Sequence, residues 1–256
     1  MMNRILLTPF WLPKGGNAAA EYEDAFFPIA GAVHAGECLR FAVADGATEG
    51  MLSGQWANLL VKLFKRHWQD MDTAAPWLAH AYRDWTRLKE DYIRRRNAEG
   101  HPIQWYEEPG LEAGAFSTLL GVTFQEATFE AIALGDSCLF QVRDDAPILQ
   151  FPFSQSSEFN NRPVLLSSNP ARNGRVQEYL RSVRGNFSSG DRFYLMTDAL
   201  AAWSMRELEA ERAPWSTLDQ MGAERQAQPL SEWITTLRQT GQIRNDDVTC
   251  VRLQVM

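Results

Sequence analysis

Aspartates sit repeatedly where apolar, strand-like runs of this sequence stop. Asp45 closes LRFAVAD, Asp136 closes EAIALGD and Asp198 closes FYLMTD, while Asp246 and Asp247 stand just before VTCVRLQV and Asp24 just before AFFPI. A strand end followed by a turn holds a side chain on a rigid support at a sheet edge, and several such ends can converge. Carboxylates brought within a few ångströms of one another must protonate or bind a cation, and an oxygen-only set suits a hard ion such as magnesium or manganese. Taken singly, each aspartate has a plainer reading as a turn residue or helix cap. Asp144-Asp145, just past a strand, reads as a solvated turn. Order and context together point to metal chemistry.

Other chemistries lack their residues. The histidines His34, His67, His80 and His101 show no HExxH or paired-ligand spacing, which disfavours zinc. There is no G-x-S-x-G elbow and no cysteine-nucleophile signature. Cys38, Cys138 and Cys250 are odd in number, far apart and embedded in apolar sequence, so they read as reduced, buried thiols of a cytoplasmic protein. A net charge of -7 with no basic stripe repels polyanions, so no nucleic-acid partner is expected. The opening MMNRILLTPFWLPKGG carries two prolines and no small-residue cleavage pattern, so it does not read as a leader. No apolar run approaches the ~20 residues of a membrane span.

The elements that must position the acids are legible as periodicities. Runs 39–44, 117–124, 129–134, 193–196 and 248–255 read as strands, the last with Val251, Leu253 and Val255 on one face and Arg252 and Gln254 on the other. Trp56, Leu59, Leu60, Leu63, Phe64 and His67 recur at helical spacing, and a second helix after Pro76 carries Trp77, Leu78, Tyr82, Trp85 and Leu88 to a cationic end at Arg94-Arg95-Arg96. Two more helices are expected over 205–213 and 230–240, with an irregular Ser/Asn/Pro/Arg excursion over 150–174. The nine tryptophans read as packing rather than a ligand box. At 45% apolar residues, 256 residues can fill one α+β domain of layered sheets, 1–256, with 150–174 as a flap beside its site.

The ordered blocks EDA (23–25), VADGATEG (43–50), GDS (135–137), MTDAL (196–200) and NDDVT (245–249) resemble the signature of the type 2C, metal-dependent protein serine/threonine phosphatases, in the manner of a divergent bacterial member. The resemblance implies a four-layer α-β-β-α sandwich, a central β-sandwich flanked by helix pairs, with two manganese or magnesium ions at one end and a third held more weakly. Carried across block by block, Asp45 bridges both ions, the Gly46 carbonyl helps hold one, Asp198 and Asp246 are further direct ligands, Asp24 acts through water, and Asp136 serves the third ion. Asp45, Asp198 and Asp246 thereby become the catalytic set. The implied reaction is hydrolysis of phosphoserine and phosphothreonine in a phosphorylated protein partner by metal-activated water, with no protein nucleophile.

The chain departs from the family at Ala19, where an arginine commonly grips the phosphate, at Ala47, where some members carry a histidine, and at Ala199, where glycine is usual. Phosphate contacts from Lys14, Arg40 or the 150–174 excursion are the candidate replacements. The rival reading is a pseudophosphatase that binds a phosphoprotein without turning it over. Against it stands the intact acidic set, a liability without metal. No coiled-coil seam fixes an oligomeric state.

Overall fold

The computed structural model describes residues 2–48, 50–71, 74–159, 162–223 and 227–256. Its strands are β1 (Asn3–Leu12), β2 (Ala25–Phe27), β3 (Val33–Gly36), β4 (Cys38–Ala44), β5 (Phe116–Ser117), β6 (Leu119–Gln125), β7 (Thr128–Leu134), β8 (Cys138–Arg143), β9 (Ala146–Phe151), β10 (Leu166–Ser167), β11 (Arg181–Asn186), β12 (Arg192–Met196) and β13 (Val248–Val255). Its helices are α1 (Ser53–His67), α2 (Ala74–Ala98), α3 (Glu108–Ala113), α4 (Val176–Tyr179), α5 (Asp198–Glu209), α6 (Trp215–Ala223) and α7 (Ala227–Gln239). One sheet runs β3-β1-β13-β12-β8-β9, the other β11-β7-β6-β4-β2, and β10 pairs with β5 apart from both.

Strand alternation sorts the apolar side chains into layers. Leu39, Phe41 and Val43 of β4 join Leu120, Val122 and Phe124 of β6 and face Phe193 and Leu195 of β12 and Val251 and Leu253 of β13 across the sandwich. Phe124 sits among Phe41, Phe187 and Phe193 at ring-centroid distances of 6.0, 5.3 and 4.9 Å. Each such buried ring contributes roughly 1.5–3 kcal/mol of transfer free energy. The alternate residues, Ala42 and Ala44 of β4 with Ile132 and Leu134 of β7, turn outward beneath α1 and α2. Phe140, Tyr194, Met196 and Cys250 turn outward on the other sheet beneath α5, α6 and α7. The product is the expected α+β, four-layer α-β-β-α sandwich. Gly121 sets the spacing of one outer layer, because a Cβ there would stand 2.3 Å from the Phe64 ring of α1. Among the described residues no helix is long and apolar enough to cross a membrane.

Several boundaries differ from the periodicity reading. The opening segment forms β1, paired with β13 from Ile5↔Val255 to Leu12↔Val248. The expected strand 117–124 divides at Thr118, whose backbone amide donates to the Asp45 carbonyl at 2.8 Å instead of to a ladder partner. The helix expected over 205–213 begins seven residues earlier, at Asp198, since the small residues Ala199 and Ala201 carry no amphipathic signal yet bury their methyls. The second helix starts at Ala74 and includes Pro76 in its first turn, where the missing N–H costs nothing. Asp144 and Asp145 form the β8–β9 turn with φ of 49° and 61°. Cys138 and Cys250 are buried, but Cys38, at the start of β4, is half-exposed. Trp11 and Trp105 lie on the surface, outside the packing role given to the tryptophans.

The 150–174 excursion, of which 160 and 161 lie outside the described residues, is irregular as expected apart from β10, yet it is bonded into the body. Asn173 Nδ2 donates to the Tyr82 hydroxyl at 2.7 Å, the Ser168 amide donates to the Ala115 carbonyl at 2.8 Å, and the Ser156 amide donates to Glu209 of α5 at 2.6 Å.

Candidate metal centre

Both sheets deliver acids to the same end of the sandwich. In the first-sequence half, β2 pairs antiparallel with β4 through Ala25↔Ala44, so Asp24 and Asp45 are neighbours just beyond the ladder. In the other sheet β12 pairs antiparallel with β13 through Met196↔Cys250, which brings the turn before β13, with Asp246, beside Asp198 at the start of α5. Asp136 lies in the turn where the chain passes from β7 in one sheet to β8 in the other. Asp45 therefore feels the charges of Asp24, Asp198, Asp136 and Asp246 together.

The loop carrying Asp45 is pinned from below. Its amide donates to Thr118 Oγ1 at 2.9 Å, that hydroxyl also meets Ser137 Oγ at 2.9 Å, and Gly46 bridges to Ser117. At Gly46 a Cβ would lie 2.7 Å from the Glu23 carbonyl and 2.8 Å from the Ser53 backbone, so only glycine passes between the Asp24 loop and α1. Asp24 is fixed by two hydroxyls: Thr197 and Thr249 donate to its Oδ2 at 2.9 and 2.6 Å. The Tyr22 hydroxyl in turn bonds Thr249 Oγ1. Both threonines fall inside the MTDAL and NDDVT blocks, but periodicity could not single them out as supports for Asp24.

Asp246 and Asp247, equivalent in the sequence, separate here. Asp247 spends both oxygens on backbone amides, Oδ1 accepting from Lys14 at 2.8 Å and Oδ2 from Glu23 at 2.7 Å. It staples the N-terminal segment and the Asp24 loop to β13. Asp246 Oδ1 accepts the Asp247 amide at 3.0 Å. Arg238 Nη2 donates to the Asp246 and Pro13 carbonyls at 2.6 and 3.0 Å and so acts as a second staple.

Electrostatics follow from burial of like charges. Burial raises the Asp24 carboxyl well above the usual carboxylate range, with the Thr249 hydroxyl opposing and Asp247 adding to the rise. Asp45 is raised well above that range by burial and then by its acidic neighbours, Asp24 first. Asp136 is pushed up to about 7 by burial and by Asp198. Asp198 is raised by burial while the Arg244 guanidinium, ion-paired with its Oδ2, works against the rise. A group of carboxyls this crowded must hold protons or take up compensating positive charge.

The donor set fits a hard cation. Asp24 Oδ1, Asp136 Oδ1 and Asp198 Oδ1 are buried and have no hydrogen-bond partner among the described residues. Three orphaned carboxylate oxygens at one sheet end are costly in a protein interior unless an ion or water satisfies them. As the side chains stand, no group of three acids, histidines or cysteines among the described residues is gathered closely enough to enclose an ion. Of the candidate phosphate contacts, Lys14 stands at the site's edge with Nζ 3.3 Å from Thr48 Oγ1. Arg40 does not: it lines a separate cleft of about 420 Å³ with Arg66, His67 and His80, five strand positions from Asp45.

A family profile described as "Protein phosphatase 2C" matches residues 19–238. No curated protein matches the chain. Among solved structures, the serine/threonine phosphatase PstP/Ppp of Mycobacterium tuberculosis is similar at 19% identity, with a TM-score of 0.58 and 98% of each chain covered. The catalytic domain of PstP in complex with two manganese ions is similar at 16% identity and a TM-score of 0.55, over 100% of each chain. The S. agalactiae serine/threonine phosphatase is similar at 11% identity and a TM-score of 0.53, covering 98% of this chain and 100% of the other. With the family profile spanning the EDA, VADGATEG, GDS and MTDAL blocks, the chain belongs to the protein phosphatase 2C family.

Proposed function

We propose that this protein phosphatase removes phosphate from phosphoserine and phosphothreonine in proteins at the acidic end of the sandwich, with manganese or magnesium as its cofactor. The observation that carries the reading is the convergence of Asp24, Asp45, Asp136, Asp198 and Asp246 from both sheets with three buried, unpartnered oxygens among them. Asp45, Asp198 and Asp246, with the Gly46 carbonyl, would hold two divalent ions, Asp24 would act through water, and Asp136 would serve a third. A fold shared with the manganese-loaded catalytic domain of PstP supports that number. Bound there, the ions would activate water for attack and neutralise charge on the phosphoryl oxygens.

The chain's own residues do the positioning. Thr118 and Ser137 fix the Asp45 loop, Thr197 and Thr249 orient Asp24, and Asp247 with Arg238 holds the Asp246 turn against the N-terminal segment. Serine and threonine hydroxyls do this without adding charge to a site already crowded with it.

The test is manganese- and magnesium-dependent hydrolysis of p-nitrophenyl phosphate and a phosphothreonine peptide by the parent, Asp45→Asn and Asp198→Asn. Metal-dependent turnover of both substrates, lost in both variants, is the expected result. Turnover that survives chelation, or an unaffected Asp45→Asn variant, overturns the assignment.

A further inference from the structure

Arg244 carries its charge into the acidic end of the sandwich. It lies in the turn between α7 and β13, two residues before Asp246, and its guanidinium is ion-paired with Asp198 Oδ2. Asp136 and Asp246 also act on its charge. Its side chain is 52% exposed while that of Asp198 is 6% exposed, so the cation reaches inward from the mouth of the site. Arg238 differs, since one nitrogen is already committed to two backbone carbonyls.

We propose that Arg244 serves two anions in turn: it neutralises Asp198 in the metal-free chain, and it grips the phosphoryl group of the substrate once divalent cations claim Asp198. The inference rests on the metal reading of the site given above. Asp198 offers two oxygens, one orphaned and one covered by the guanidinium. A divalent ion bound at the covered oxygen would stand against a like charge at contact distance, so the guanidinium must withdraw. Its tether beside Asp246 keeps it at the same sheet end, where a planar fork of donors matches two oxygens of a phosphate.

Arg244 should then oppose metal binding and support phosphate binding, a pair of opposite signs that a merely structural residue would not produce. The experiment compares the parent with Arg244→Gln and Arg244→Lys by calorimetric titration, first with manganese alone and then with inorganic phosphate on the manganese-saturated protein. Losing a half-exposed ion pair should tighten manganese binding by Arg244→Gln about fivefold. Losing a charge-assisted fork should weaken its phosphate binding about tenfold and raise KM for p-nitrophenyl phosphate more than it lowers kcat. Arg244→Lys should keep the parent's manganese affinity and bind phosphate with intermediate strength. Manganese affinity that falls or stays unchanged in Arg244→Gln, or phosphate affinity that stays unchanged, overturns the proposal while leaving the metal site standing. Failure of the parent itself to bind manganese overturns both readings.

Discussion

Without metal, the crowded acids should make this protein less stable as pH rises toward neutrality. Asp136 shows the sign. Burial, and then the Asp198 charge, push its folded-state carboxyl up to about 7, against 3.8 for an ordinary aspartate. A group whose folded pKa is raised binds an extra proton in the folded state, so its contribution is complete below the ordinary pKa and is lost as pH climbs through the raised one. From about pH 5 the unfolded carboxyl is ionised while the folded one is protonated, which costs ~1.4 kcal/mol per pH unit until the folded group half-ionises near pH 7, or about 2 kcal/mol over the window. For a chain of this size that is a fall in Tm of about 4–8 °C, with Asp24, Asp45 and Asp198, also raised, adding to it.

His34, lowered by burial and by the Lys65 charge, opposes this trend inside the window and is common to the parent and Asp136→Asn, while Asp191 opposes it outside the window. Burial pushes its carboxyl up, and Arg143 with the Ser188 amide and Gln141 more than reverses the effect, so its contribution is lost only as pH falls below the ordinary aspartate value. The assay is thermal unfolding of chelator-treated protein from about pH 5 to 7.5, for the parent and Asp136→Asn, with and without manganese. The parent should lose Tm across the range, Asp136→Asn should lose less, and manganese should restore more at the upper end, where it finds ionised ligands. A metal-free Tm that is level or rising over that range refutes the electrostatic account of the site.

Other substitutions separate support from chemistry. Asp247→Asn leaves one oxygen to serve the two amides of Lys14 and Glu23, and should cost about 1–3 kcal/mol in urea unfolding, while Asp246→Asn should cost little stability and abolish metal-dependent turnover. Thr249→Val removes a 2.6 Å donor from Asp24 and the partner of Tyr22, and should lower stability by about 1.5–3 kcal/mol on the same measurement. Gly121→Ala drives a methyl into the Phe64 ring and should cost about 1–3 kcal/mol or more, seen as a lower urea midpoint with an unchanged m-value.

The layers and the acids were legible in the sequence for the same reason: both depend on period and order. The apolar run of Phe41, Ala42, Val43 and Ala44 announces a strand buried on both sides, which the structure realises with Phe41 and Val43 inside the sandwich and Ala42 and Ala44 beneath α1. β1 was harder to read, because Thr8, Pro9 and Trp11 interrupt its pattern, and its pairing partner β13 lies at the far end of the chain. The start of α5 was obscured by alanines, whose burial beneath a helix leaves no amphipathic stripe. In each case a long-range contact, rather than local preference, determines the element.

The site divides along the same line. An aspartate at a strand end declares itself, but whether it faces the cluster or a pair of amides depends on residues far away. Asp246 and Asp247 are adjacent and chemically identical, yet Lys14 and Glu23, more than 220 positions earlier, occupy both oxygens of one. Arg244 was invisible for a related reason: a cation near two aspartates in sequence reads as an ordinary surface pair, while its partner is Asp198, from the strand-to-helix turn 46 residues away. That pairing places positive charge on a buried acid at the mouth of the cluster. A chain lacking an arginine at position 19 can therefore present one from the opposite end of its sequence, close to where a phosphate would bind.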